Sequence, residues 1–212
     1  LVSRGHADPA EARRFLRPRL ADLRSPDGMA GLRTAVLVLV RALADRRRIG
    51  VFGDYDVDGV TSAALLGGYL RACGAETVIR VGQRASGYGL GEADAAALAE
   101  AGCGLVVVCD CGTSDHAAVE LLRRRGLEVV VVDHHQVPPG PIVATALVNP
   151  QQPGCEFPCK SLASVGLCFY LCAAVRGGLR QAGAVPQPEP DPRAWLDLVA
   201  VGTIADLAPL TD

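Results

Sequence analysis

Ile49-Gly-Val-Phe-Gly-Asp54-Tyr-Asp56-Val-Asp58-Gly-Val-Thr-Ser62 decides how the chain is read. Residues 49–52 form a short apolar run suited to a buried strand, and 61–72 carry a helical pattern closed by Gly74. Between them, Asp54, Asp56 and Asp58 occupy alternate positions where the strand ends and the helix begins. Carboxylates crowded in this way are costly unless a positive charge sits among them. A divalent cation meets that need best.

Outward from this stretch the same alternation repeats. Strands are predicted at 77–81, 105–109 and 128–132, and helices at 92–101, 117–125 and 162–175. Aliphatic runs interleaved with helices predict an α/β fold, a parallel sheet with helices on both faces. Residues 1–48 read as a helical lead-in, with a cap at Asp8, Pro9 in the first turn and helical spacing over 27–48. A proline-rich break at 186–192 precedes a last helix at 193–201. The expected division is therefore a lead-in, 1–48, and a catalytic domain, 49–212. Neither end reads as a natural terminus, so a segment of a longer protein is expected.

Three further clusters are expected just after strands: Cys109-Asp110-Cys111, Asp133-His134-His135, and Thr203-Ile-Ala-Asp206. Ligands of open α/β sheets collect at the carboxyl ends of the strands, so all four clusters should meet in one site. A single aspartate after a strand is usually a turn or helix cap; paired histidines beside an aspartate are rarer. Oxygen and imidazole ligands suit Mn²⁺ or Mg²⁺ and tolerate Co²⁺ or Zn²⁺. No GxxxxGK[ST] loop is present, which excludes that class of nucleotide kinase. Aspartates stand where a dinucleotide's pyrophosphate would have to lie.

The chain has 212 residues, half of them hydrophobic, and a net charge of −2, so charge alone does not announce nucleic acid. Lys160 is the only lysine; the other basic residues are arginines. Eight cysteines in a chain of this length read as free thiols, many in apolar runs. Cys155 and Cys159 lack the second pair of a zinc site. No signal peptide or membrane span is visible, and a cytoplasmic protein is expected.

The runs 51–62, 108–112, 132–135 and 202–208 are similar to the four motifs of the DHH phosphoesterase superfamily. Within it, residues 5–23, 84–90 and 148–166 resemble the RecJ family of single-strand-specific 5′→3′ DNA exonucleases. That resemblance implies two ions, Mn²⁺ or Mg²⁺, acting on single-stranded DNA to release 5′-mononucleotides. Asp56 would hold one metal and Asp58 the other, with Asp110 bridging. His134 and Asp206 would complete the second site, His135 would face the phosphate, and Asp133 would orient the histidines. Asp54 would be a further metal-site residue or support a water there. Phe52 stands where many relatives have histidine, which implies a weaker first site. Two cations a few ångströms apart can activate water for in-line attack and stabilise the leaving oxygen.

Substrate contacts are expected from Arg84 (phosphate), Tyr88 (base stacking), His116 (phosphate) and Asn149 (closing the active-site loop). Relatives add a smaller substrate-gripping domain and an oligonucleotide-binding barrel, both beyond this sequence, so weak activity is expected of the segment alone. A helicase or single-strand-binding protein is the implied partner. The alternatives are a phosphodiesterase for short oligonucleotides, cyclic dinucleotides or pyrophosphate, and a non-catalytic repair scaffold.

Overall fold

The computed structural model describes residues 2–5, 7–141 and 143–210. Its centre is a parallel sheet in the order β2-β1-β3-β4-β5, built from β1 (Ile49–Gly53), β2 (Thr77–Val81), β3 (Leu105–Cys109), β4 (Glu128–Val132) and β5 (Ala146–Val148). The helices are α1 (Pro9–Leu16), α2 (Leu32–Ala44), α3 (Val57–Ala72), α4 (Glu92–Glu100), α5 (His116–Arg124), α6 (Ser164–Gln181) and α7 (Leu196–Ala205).

The period-2 alternation of strand side chains splits the core in two. Ile49, Val51, Leu105, Val107, Val130 and Val132 pack under α2, α3 and α6. Phe52, Val106, Val108, Val129 and Val131 face α4 and α5 on the other side. The expected α/β sheet with helices on both faces is the observed fold, and β2, β3 and β4 have the expected bounds.

Register is the feature that builds the site. Gly53 pairs with Cys109, Cys109 with Val132, and Val132 with Val148. The ladder then runs one residue further, through Asp54 N to Cys109 O (3.3 Å), Asp110 N to Val132 O (2.9 Å) and Asp133 N to Val148 O (3.0 Å). Asp54, Asp110, Asp133 and Asn149 therefore leave four neighbouring strands at one level, and all are buried.

Several expectations change. Asp206 does not follow a strand. The last helix runs past 201 and Asp206 caps the C-terminus of α7, because Gly202 lets that helix lie directly on Thr61 and Asp58 of α3. Helix α3 begins earlier than residue 61, capped by Asp56, so Asp58 lies in its first turn. Strand β5 was not expected, and α6 extends to Gln181.

Within the lead-in, α1 is exposed, whereas α2 buries Leu32, Ala35, Val38, Leu39 and Ala42 in the main core. Its approach depends on Gly31 at φ +78, where a Cβ would lie 1.8 Å from Leu147 O. His6 of the expected lead-in and Thr211 and Asp212 of the expected catalytic domain lie outside the described residues. No described helix is long and apolar enough to cross a membrane. None of the eight cysteines is in a disulfide.

Candidate metal centre

The β1–α3 turn is tight because two glycines touch. A Cβ on Gly53 would meet Gly59 O at 2.2 Å, and one on Gly59 would meet Asp54 N and O at 2.5 Å. Asp54, wholly buried, accepts from Gly89 N on Oδ1 (3.0 Å), while Oδ2 has no hydrogen-bond partner among the described residues. Asp56 caps α3, taking Gly59 N at 3.0 Å. Asp58 lies against the N-terminus of α6 and accepts from Ser164 N (2.7 Å) and Val165 N (2.9 Å).

Asp110 takes a left-handed backbone, φ +64, uncommon outside glycine. Its Oδ1 accepts from Ser164 Oγ at 3.0 Å, and its Oδ2 is buried without a hydrogen-bond partner among the described residues. His134 sits between two carboxylates, with Nε2 3.5 Å from Asp110 Oδ1 and Nδ1 4.0 Å from Asp206 Oδ2. That Nε2 is also buried without a hydrogen bond.

Asp133 gathers donors from behind. It accepts from the amides of Thr113 (3.2 Å), His134 (2.8 Å) and His135 (3.1 Å), and lies 2.7 Å from His135 Nδ1. Asn149, wholly buried, donates to Thr113 Oγ1 (3.1 Å) and His135 O (2.9 Å), and accepts from Gln151 N (2.8 Å). Asn149 thus clamps the histidine loop rather than opening onto solvent.

The electrostatics have one sense. Burial first, then the carboxylates of Asp58 and Asp56, push Asp110 up to about 10. Burial also raises Asp58. Burial works against ionisation of Asp133 as well, but hydrogen bonds from His135 and Thr113 outweigh it and hold the carboxyl below its ordinary value. The Asp133 hydrogen bond raises His135. Acidic groups thus converge on a buried point that lacks positive charge.

Among the described residues, two sets of donor atoms lie within 4.8 Å of one another, Asp110 with His134 and His135, and Asp58 with His134 and Asp206. The partnerless oxygens of Asp54 and Asp110 and the partnerless nitrogen of His134 are what cation ligands look like without their ion. The residues present fit hard divalent cations, and neither set contains a thiol. Asp56 falls in neither set.

A model of the DHH family, N-terminal domain, matches residues 48–203. The chain belongs to the DHH family. This DHH domain is 44% identical over 189 residues to the single-stranded-DNA-specific exonuclease RecJ of Dickeya dadantii, a match covering 86% of this chain and 32% of that protein. Its counterpart in Bacillus subtilis is 36% identical, over the whole of this chain and 26% of the relative. Exonuclease RecJ bound to manganese superposes with a TM-score of 0.76 at 34% identity, over 89% of this chain and 46% of that one. RecJ from Thermus thermophilus in complex with Mn²⁺ gives 0.72 at 33% identity, over 93% and 27%. The chain therefore spans a third or less of the length of these two curated relatives.

Around the centre of the DHH domain the loop after β2 is strapped down. Tyr88 donates its hydroxyl to Asp110 O (2.7 Å) and lies 3.1 Å from both ring nitrogens of His135. Asp115 holds Leu90 N (2.8 Å) and Gly112 N (2.9 Å). Arg84 lies over the Tyr55 ring, 5.1 Å from its centroid, and remains exposed. His116 stands apart, lining a small pocket on the α5 side with Val119, Val131 and Pro138. Phe52 is buried beneath the site among apolar residues. Lys160 donates to the carbonyls of Pro150 and Cys155 and so braces its own loop.

Ser164, Thr113, Asp115 and Tyr55 had no role in the sequence reading. Ser164 lies in a stretch that carried the family resemblance. Its reach to Asp58 and Asp110 depends on where α6 packs, which no local pattern reveals.

Proposed function

We propose that the chain is the catalytic DHH domain of a single-stranded-DNA-specific exonuclease, digesting 5′→3′ and releasing 5′-mononucleotides. The observation that carries this reading is the pair of donor sets sharing His134, with orphaned ligand atoms on Asp54, Asp110 and His134. The relatives' names as single-stranded-DNA-specific exonucleases, and the solved RecJ structures with Mn²⁺ and with Mg²⁺, support it. The polarity rests on the family resemblance.

Asp58, His134 and Asp206, one of the two donor sets, would hold one ion; the family resemblance assigns Asp110 and Asp56 to the other, with Asp110 shared and Asp54 beside it. Bound there, Mn²⁺ or Mg²⁺ supplies Lewis-acid activation of water and neutralises charge at the phosphate. The protein's own part is orientation. Asp133 keeps the proton on His135 Nδ1, which leaves Nε2 to face the substrate. Tyr88 presses on the same imidazole, and Arg84 offers an exposed guanidinium to the phosphate backbone. Asn149 acts through His135. His116, in its separate pocket, is assigned a phosphate contact at the edge of the path only.

Residues 49–212 form the catalytic unit in this reading, with α2 as part of its core and α1 as the lead-in proper. The whole protein would work in the cytoplasm, beside a helicase or a single-strand-binding protein. Substrate preference tests the assignment. The full-length protein is given 5′-labelled single strands of graded length, a cyclic dinucleotide and pyrophosphate, each with Mn²⁺. Preference for long strands with mononucleotide release is expected. Preference for a dinucleotide or pyrophosphate would move the assignment to a small-substrate phosphodiesterase.

A further inference from the structure

Ser164 opens α6, an 18-residue helix, and is wholly buried. It touches both halves of the candidate centre by different atoms. Its backbone amide, with that of Val165, holds the two oxygens of Asp58. Its hydroxyl holds Oδ1 of Asp110 at 3.0 Å. Asp58 belongs to one donor set and Asp110 to the other.

The carboxylate torsion of an aspartate is broad and two-fold, so an untethered Asp110 could present either oxygen or turn aside. The backbone of Asp110, at φ +64, is already held by the hydrogen bond its amide donates to Val132 O. With Oδ1 tied to Ser164, only Oδ2 is left without a partner. We propose that Ser164 is a positioning residue whose hydroxyl selects the Asp110 oxygen offered to the metal, while its amide independently fixes Asp58. The inference rests on the two-cation reading above and deepens it.

The two contacts separate under mutation. Ser164→Ala removes the hydroxyl and keeps the amide, so only the Asp110 half loses its tether. Loss of such an outer hydrogen bond typically weakens metal binding by about 10–100-fold. The experiment is a Mn²⁺ titration of the full-length protein without DNA, reading free Mn²⁺ by electron paramagnetic resonance, alongside thermal melting in EDTA and in Mn²⁺. Ser164→Ala is expected to weaken by at least about tenfold the class of site that Asp56→Asn abolishes. The class abolished by Asp206→Asn, which Asp110 serves as the shared ligand while Asp58 keeps both its amide contacts, is expected to weaken less, and the EDTA melting point to stay near wild type. Ser164→Cys, of similar volume but a poor donor, is expected to reproduce the pattern.

Unchanged affinity at both classes overturns the proposal. So does equal weakening of both with a lower EDTA melting point, which marks a packing role. A wild-type protein that binds no Mn²⁺ removes the two-cation reading itself, an outcome distinct from normal wild-type binding with an indifferent Ser164→Ala.

Discussion

His134 Nε2 lies 3.5 Å from Asp110 Oδ1 without forming a hydrogen bond, which sets an orphaned imidazole nitrogen beside the carboxylate whose other oxygen, Oδ2, is orphaned too. Both atoms belong to residues delivered by the register of β3 and β4, in which Asp110 N continues the ladder to Val132 O. The sheet thus brings like charges and an imidazole together at a point the polypeptide leaves without a counter-charge.

That arrangement makes the metal-free protein sensitive to pH. Asp110 is raised from 3.8 to about 10, by burial first and by Asp58 and Asp56 next. Between those values the folded chain keeps a proton that the unfolded chain has lost, so stability falls as pH rises. The penalty is absent below the lower value and complete above the upper one. Denaturation midpoints in EDTA are expected to drop across this window, and Asp110→Asn to flatten the drop. Asparagine also tolerates the left-handed backbone better than alanine. Mn²⁺ affinity is expected to increase with pH, since the ion displaces that proton. A midpoint indifferent to pH would contradict the assignment of strain to Asp110.

Asp133→Asn tests the orientation of the histidines. Asp133 is below its ordinary value and His135 above 6.5, each through their shared 2.7 Å contact. The stabilisation from His135 is present below 6.5 and is lost as pH rises through its folded pKa. The variant is expected to bring the His135 pKa, followed by NMR, back toward its ordinary value and to slow turnover about 10–100-fold. An unmoved imidazole would show that Asp133 does not orient it.

Asn149→Ala separates clamping from substrate binding. It leaves Thr113 Oγ1 short of a partner in the interior, and His135 O and Gln151 N short of one where they are part-buried. Each buried group left unsatisfied costs about 1–3 kcal/mol. The denaturant midpoint and kcat are expected to fall with KM for DNA unchanged. A KM effect alone, at wild-type stability, would make Asn149 a substrate contact.

Gly59→Ala places a methyl 2.5 Å from the backbone of Asp54, where no flexible side chain can yield. Overpacking of this kind costs about 1–3 kcal/mol. Lower stability and weaker Mn²⁺ binding are expected together, because α3 must shift and carry Asp56 and Asp58 with it. Wild-type values of both would refute the close approach.

Much of this was legible in the sequence. Val-rich runs bounded by glycines placed β2, β3 and β4, and the alternating aspartates marked the β1–α3 turn. The misses share a cause. Strand β5 has three residues, too few for a period, and exists because β4 offers an edge. By sequence, Asp206 groups with the strand-end clusters although a helix is expected over 193–201; that helix continues to Ala205, its approach to α3 set by Gly202. The positive φ of Asp110 has no local signal in a non-glycine residue. Ser164 reaches Asp110 across 54 positions, a contact set by tertiary packing.

The most direct measurement is Mn²⁺-dependent release of nucleotides from 5′-labelled single-stranded DNA by the full-length protein, with Asp110→Asn beside it. Release of labelled 5′-mononucleotide that EDTA stops and the variant lacks is the expected result. Nucleotide release that persists in Asp110→Asn, or a protein that binds Mn²⁺ yet leaves the strand intact, would contradict a two-cation nuclease centre at these residues.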